Sequence, residues 1–255
     1  MDLRGRSAIV TGGAGGLGAA TVRELASAGM GVVVFDRDAD GARALAEELG
    51  ASSTAVGGDV NDDADVALAI DAGQALGPLS VVVNVAGGGI SARTIARDGT
   101  PHDMAAFRDV MAMNAFGTFN VTRLAAAAMA AGAADDDGQR GVVVNTASVA
   151  GIEGQTGQIA YGAAKAAILG MTLPLARDLA AIGVRVCAIA PGTMGTPLML
   201  SAPDAIKDRL VASIINPKRM GLPEEFAALV AHIARNSYLN GENIRLDGAL
   251  RFPPK

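Results

Sequence analysis

Tyr161 and Lys165 stand four residues apart in the run Tyr161-Gly162-Ala163-Ala164-Lys165, with Ser148 thirteen residues upstream. On a helix that spacing puts the phenol and the amine on one face. Free tyrosine, with a pKa of about 10, is a poor base near neutrality. An ammonium within about 4 Å attracts a phenolate by roughly 4 kcal/mol at an effective dielectric of about 20. Such a neighbour is expected to lower the tyrosine by about two or three pKa units. Ser148 could then hydrogen-bond the oxygen that gains or loses the proton. The pair is common by chance on amphipathic helices, so its meaning rests on the elements that must position it.

The first such element is a strand-like run, Ser7-Ala8-Ile9-Val10, that enters Thr11-Gly12-Gly13-Ala14-Gly15-Gly16-Leu17-Gly18 and then an Ala-rich helical pattern ending at Gly29. Strand, glycine turn and helix together let a backbone approach a pyrophosphate, whose charge a helix N-terminus favours. A second strand, Gly31 to Phe35, ends at Asp36, eighteen residues after Gly18. That is close to the spacing at which an acid binds the adenosine ribose hydroxyls. Its charge would repel a 2′-phosphate, so NAD is expected over NADP, although Arg37 beside it could accept a phosphate.

Helical and strand patterns then alternate. Ala39–Leu49 and Asp62–Leu76 read as helices, Ser53–Gly58 and Ser80–Val83 as strands. Continuous Val runs between helices indicate strands buried on both faces, hence a doubly wound parallel sheet. Ligands on such sheets lie at the carboxyl ends of the strands, where Asp59, Asn84 and Gly87 fall. Asp59 reads equally well as a helix cap. After an irregular polar stretch, Ile90–Gly99, Thr100 is expected to cap a helix, with His102 exposed in its first turn. That helix should run through Asn114 to about Met129. Asn114 in an apolar section needs partners: it could bond backbone and distort the helix, or hold a water. Gly141–Thr146 is a strand with Ser148 at its end. Pro174 is a possible kink in the Tyr161 helix. Val184–Ala190, Pro223–Arg235 and Asn243–Leu246 complete the pattern, and Thr193–Met220 reads as a lid or substrate loop. No repeat or linker divides the chain, which reads as a single domain over 1–255, with a cofactor half at about 1–150 and a catalytic and substrate half at about 151–255.

The chain has 255 residues, half of them hydrophobic, 33 Gly, no Trp and a net charge of −5. No basic stripe supports a nucleic-acid role. The lone Cys187 excludes an internal disulfide and reads as a small buried hydrophobe; His102 and His232 lack ligand spacing, so no metal is expected. Asp135-Asp136-Asp137 reads as a solvated loop tip. No apolar run is read as approaching about 18 residues, so no spanning helix and no membrane partner are expected. The strand by Ala8 leaves no room for a signal peptide, and a cytoplasmic location is expected.

Taken together the motifs resemble the short-chain dehydrogenase/reductase family over essentially the whole length. Thr11-Gly12-x-x-x-Gly16-x-Gly18 is similar to its cofactor loop, and Asn84-Val85-Ala86-Gly87 to its strand-four motif, with Val85 replacing a usual second Asn. Asn114, Ser148, Tyr161 and Lys165 match its catalytic tetrad in order and spacing. The resemblance implies a Rossmann-type sheet of about seven parallel strands. It implies cofactor contacts from Gly12, Gly16, Leu17 and Gly18, from Asp36, Asp59 and Val60, and from Asn84, Ala86 and Gly87. Tyr161, Lys165, Pro191, Gly192 and Thr196 would join them. It also implies a water between Lys165 and solvent, held by Asn114. The runs 138–151, 170–186 and 239–251, and the extra residues around 90–99, resemble the branch of type 2 3-hydroxyacyl-CoA dehydrogenases, also described as 17β-hydroxysteroid dehydrogenases. That branch implies NAD, a homotetramer and oxidation of the 3-hydroxyl of an acyl-CoA. A 3-oxoacyl-carrier-protein reductase using NADPH is opposed by Asp36. A hydroxysteroid dehydrogenase stays open. A silent dinucleotide-binding scaffold or redox sensor is disfavoured because all four tetrad residues are present.

Overall fold

The computed structural model describes residues 1–254. The first half alternates strand and helix: β1 (Ser7–Thr11), α1 (Gly16–Ser27), β2 (Gly31–Asp36), α2 (Ala39–Leu49), β3 (Ser53–Gly57), α3 (Asp63–Leu76) and β4 (Leu79–Asn84). There follow α4 (Met104–Met111), α5 (Gly117–Ala130), β5 (Gly141–Thr146), α6 (Ala150–Glu153), α7 (Ile159–Asp178) and β6 (Val184–Pro191). The chain ends with α8 (Pro197–Leu200), α9 (Asp204–Ala212), α10 (Pro223–Arg235) and β7 (Asn243–Leu246).

The seven strands form one parallel sheet in the order β3-β2-β1-β4-β5-β6-β7. The Val-rich strands explain it. Side chains alternate across a sheet, and here both faces are covered. Ala8, Val10, Val32, Val34, Val81 and Val83 enter one core with residues of α1, α2 and α10. Ile9, Val33, Phe35, Val82 and Val143 enter the other with residues of α3, α5 and α7. Burying each such Val, Ile or Phe is worth about 1.5–3 kcal/mol, which makes any one-residue slip costly. The strand order reverses direction at β1/β4, and ligand crevices form at the carboxyl ends beside such a reversal.

Several sequence expectations need correction. The helix after the irregular stretch begins at Met104, capped by Asp103, whose carboxylate accepts the Ala105 N–H at 2.9 Å. Thr100 is not the cap, because Ile95 and Pro101 close a small antiparallel bridge that keeps the chain extended there. His102 therefore precedes the helix, half-buried, with Nδ1 3.3 Å from the Arg93 carbonyl and its ring edge-on to Phe107. The cap of α3 is Asp62 rather than Asp59. The Asp59 carboxylate accepts instead from Asn61, through both its backbone N–H and its side-chain amide.

A helix long and apolar enough to cross a membrane does exist by length and composition: α7, 20 residues with an 18-residue window of mean hydropathy 1.4. Ala and Gly are scattered through it, so no long run of large apolar side chains marks it. It is also the helix that packs against β6, α4 and α6 and buries Lys165, and it continues through Pro174.

One buried charge passed unnoticed inside an apolar run. Arg185, 4% exposed, donates to the Ile233, Ala234 and Leu239 carbonyls and to Gln139 Oε1. It thereby satisfies carbonyl groups that the end of α10 would leave orphaned.

Candidate active site

The glycine turn after β1 is shaped by close approach. Gly12 has φ of +63°, a conformation that suits glycine. A Cβ on Gly18 would collide with the Gly12 carbonyl, and one on Gly16 would lie 2.9 Å from both Thr196 Cβ and Pro197 Cδ. The turn is bound to the next motif by Thr11, whose hydroxyl accepts the Val85 and Ala86 N–H groups, each at 3.1 Å. It is bound to β2 by Asp36, which accepts the Ala14 N–H at 3.0 Å through one oxygen and the Asp38 N–H at 3.0 Å through the other.

These elements wall a cleft of about 840 Å³ at the carboxyl ends of the strands. The expected residues Gly12, Gly16, Leu17, Gly18, Asp36 and Asp59 line it, as do Val60, Ala86, Gly87 and Thr196. A glycine floor that any Cβ would fill, an acid at the far end and a helix N-terminus over the turn fit a dinucleotide. Five expected contacts lie off this wall: Tyr161 and Lys165, described below, and Asn84, Pro191 and Gly192. Asn84 is buried in the sheet, its amide donating to Asn145 Oδ1 at 2.9 Å and to Thr122 Oγ1 at 3.2 Å. Pro191 ends β6. Gly192 faces β7, where a Cβ would lie 2.8 Å from Asp247 Cβ.

Asn114 is fully buried and takes the first of its two expected courses, bonding backbone and distorting the helix. Its amide donates to the Val110 carbonyl at 2.8 Å and to the Gly88 carbonyl at 2.7 Å, while its Oδ1 accepts the Gly88 N–H at 3.2 Å. The bond back to Val110 competes with the helix's own ladder. The helix answers with a single π turn over Ala112–Phe116 between α4 and α5. Asn114 thus clamps the Gly87-Gly88-Gly89 run. The two outer positions of the run are closed to a side chain: a Cβ on Gly87 would lie 2.5 Å from Asn114 Oδ1 and 3.2 Å from Lys165 Nζ, and one on Gly89 2.7 Å from the Tyr161 ring.

Tyr161 and Lys165 share the inner face of α7, with Nζ 5.7 Å from the centre of the phenol ring. Lys165 is 3% exposed and donates to the Thr146 carbonyl at 2.7 Å. No acid pairs with it among the described residues, and burial lowers its pKa to about 7. Burial also raises the Tyr161 phenol above its ordinary value, partly offset by the neighbouring Ser148 hydroxyl. The contact between the two hydroxyls falls short of full hydrogen-bond geometry; the Ser148 oxygen accepts the Ala150 N–H at 3.1 Å. The expected lowering of the phenol by the lysine is therefore reversed in the protein alone. The reason is that desolvation acts on both groups and outweighs any attraction between them.

A second pocket of about 680 Å³ opens from Tyr161 on the side away from the glycine turn. Leu198, on the α8 end of the expected lid, is 83% exposed and lines both cavities. Sequence spacing missed Thr146, Gly88 and Gly89. The legible signal was their place: Thr146 ends the Val-rich β5, and the two glycines lie in the loop that follows the Val-rich β4. The geometry supplies a proton donor in a half-apolar pocket beside a dinucleotide-shaped cleft.

A model of the short chain dehydrogenase family matches residues 6–206. The 3-hydroxyacyl-CoA dehydrogenase type-2 of Homo sapiens is 46% identical to the chain, covering 99% of it and 98% of the relative. Ipsdienol dehydrogenase of Ips pini is 35% identical over 95% of the chain and 96% of the relative. The crystal structure of 3-hydroxyacyl-CoA dehydrogenase type-2 from Mycobacterium avium matches with a TM-score of 0.97 at 49% identity, covering 98% of both chains. With the glycine turn, the sheet and the Asn-Ser-Tyr-Lys set in place, the chain belongs to the short chain dehydrogenase family, an oxidoreductase acting on a small molecule with a nicotinamide dinucleotide.

Proposed function

We propose that this protein is an NAD-dependent 3-hydroxyacyl-CoA dehydrogenase that interconverts a 3-hydroxyacyl-CoA and its 3-oxo form. The observation that carries the reading is the placement of Tyr161 on the wall of the second pocket, which shares Leu198 with the Asp36-walled cleft, with Ser148 and Lys165 beside it. The 46% and 49% identities to proteins named for that activity, over nearly full length, point to the substrate class.

Gly12, Gly16, Leu17 and Gly18 would hold the pyrophosphate side of the dinucleotide, Asp36 the adenosine ribose, and Gly87 with Lys165 the nicotinamide side. The bound dinucleotide supplies the hydride acceptor or donor. The chain supplies the proton path. Ser148 and Tyr161 bracket the substrate oxygen. In the reducing direction Tyr161, kept protonated by its buried surroundings, donates directly. In the oxidising direction it must lose that proton, and the Lys165 ammonium across the ring favours the phenolate. Asn114 commits both amide hydrogens to backbone, yet its Oδ1 keeps one acceptor position for a water toward Lys165. Initial rates on a panel of 3-hydroxyacyl-CoA esters, free alcohols and hydroxysteroids test the assignment. The esters should give the highest kcat/KM, and a steroid or free alcohol outrunning every ester would reject it.

The preference for NAD rests on the Asp36 carboxylate at the cleft wall. Arg37 also lines the cleft, beside Asp59, whose pKa is lowered by its bonds from Asn61 and, least, by the Arg37 charge. Asp36→Ala should weaken NAD binding about tenfold and let NADP compete, as a single lost charged hydrogen-bond partner implies. Titration of the wild type with both dinucleotides is the check; tighter binding of NADP would refute it.

A homotetramer is proposed on the outward faces of α5 and α7. Half of the Ala125–Ala128 run turned out to face the protein's own core, since Ala125 and Ala126 are buried. Phe116, Phe119 and Ile159 instead leave large apolar side chains 47–60% exposed. An apolar face of that kind, repeated about two-fold axes, closes into a D2 assembly. Light scattering at micromolar concentration should return four times the 25.5 kDa chain mass; a monomer mass would reject the proposal.

A further inference from the structure

We propose that Arg93 and Arg209 form a cationic mouth on the substrate pocket that grips the phosphates of the coenzyme A moiety; this deepens the acyl-CoA reading above and rests on it. The two arginines come from segments far apart in sequence, the irregular stretch before α4 and helix α9, yet both line the pocket that opens from Tyr161. Both are exposed, and neither forms an ion pair among the described residues. Most other arginines near the pocket are already committed: Arg245 and Arg251 to Asp247, and Arg219 to Glu225.

The pocket wall itself contains no Asp or Glu, although the chain carries 26 acids against 21 bases. A wall free of acids with two unpaired guanidiniums is thus a local reversal of the overall charge. The rest of the lining is neutral, apolar side chains such as Ile90, Leu198, Met199 and Phe252 mixed with uncharged polar ones such as Gln155 and Ser213. That combination, a proton donor, a neutral wall and two exposed cations in one pocket, suits a substrate with a reacting carbon, a neutral arm and a polyanionic end. Guanidinium groups bind phosphate oxygens through paired N–H donors. The anion would stay in water, so its hold is an exposed and screened one.

The test compares two substrates that share an acyl group, 3-hydroxybutyryl-CoA and the 3-hydroxybutyryl thioester of N-acetylcysteamine, which lacks every phosphate. The readout is the ratio of kcat/KM for the first to that for the second. Arg93→Gln and Arg209→Gln should each lower the ratio by about three- to fivefold, and the double variant by roughly tenfold or more. The loss should fall on KM of the CoA ester. Raising the salt concentration should lower the wild-type ratio and move that of the double variant less. An unchanged ratio in the double variant overturns the proposal, as does an equal loss on both thioesters, which would mean damage to the pocket. A wild type that oxidises both thioesters with the same KM also overturns it and leaves the 3-hydroxyacyl reading intact. A wild type that oxidises neither overturns that reading, and this inference with it.

Discussion

Tyr161→Phe should fold, bind NAD and turn over substrate about 10²- to 10⁴-fold more slowly than the wild type, the range that a general acid or base contributes. The variant keeps the ring that packs against Gly89 and the α4 side of the site, and removes only the hydroxyl. Dinucleotide affinity should therefore change little, since the phenol lines the second pocket and not the glycine cradle. The pH profile separates a proton-transfer role from a packing role. Wild-type alcohol oxidation should accelerate as pH rises, because burial holds the phenol protonated at neutrality and the phenolate is the form that accepts a proton. The residual rate of the variant should lose that dependence. Ser148→Ala should lower turnover with less change in NAD affinity. Near-wild-type turnover of Tyr161→Phe with an unaltered pH profile would remove the assignment.

Lys165→Met should cost activity and add stability, and the added stability should depend on pH in one direction. Methionine is close to lysine in size and needs no hydration, so the substitution relieves a buried amine without opening a cavity. The folded pKa of Lys165 is about 7, below the ordinary lysine value of about 10.4. Between those values the unfolded wild type binds the extra proton, so wild-type stability climbs with pH across the window. Below about pH 7 both states are protonated, and the cost of burying the charge is constant and greatest. The variant has no such linkage. Its stability advantage should be largest at about pH 6, on the order of a few kcal/mol, and should shrink toward pH 10, with Tm following. A Tm difference that stays flat from about pH 6 to 10 would show that Lys165 titrates normally when folded. Turnover and NAD affinity should both fall, since the ammonium faces both the phenol and Gly87. A protein that keeps an unpaired amine at such cost to its fold keeps it for the reaction.

The sheet was legible because its information is local. Alternate residues of β1, β2, β4 and β5 all had to be apolar, and runs such as Val81-Val82-Val83 can satisfy that only when both faces are covered. The glycine turn and the Tyr161–Lys165 pair were legible for the same reason: close backbone approach and a shared helix face are set within a few residues, whereas Asn114 and Ser148 joined them only through the family resemblance.

Tertiary structure decided everything that depends on a neighbour distant in the chain. It moved Asn84 and Gly192 off the cleft wall by giving them Asn145 and Asp247 as partners. It chose Asp103 over Thr100 as the cap of α4 because the Ile95–Pro101 bridge holds the preceding residues extended. It set the sign of the Tyr161 shift, since a spacing of four fixes which face two groups share but not how much water each retains. And it brought Arg93 and Arg209, 116 positions apart in the chain, to one acid-free wall, a juxtaposition that no local pattern encodes because the two lie on segments separated by most of the catalytic half.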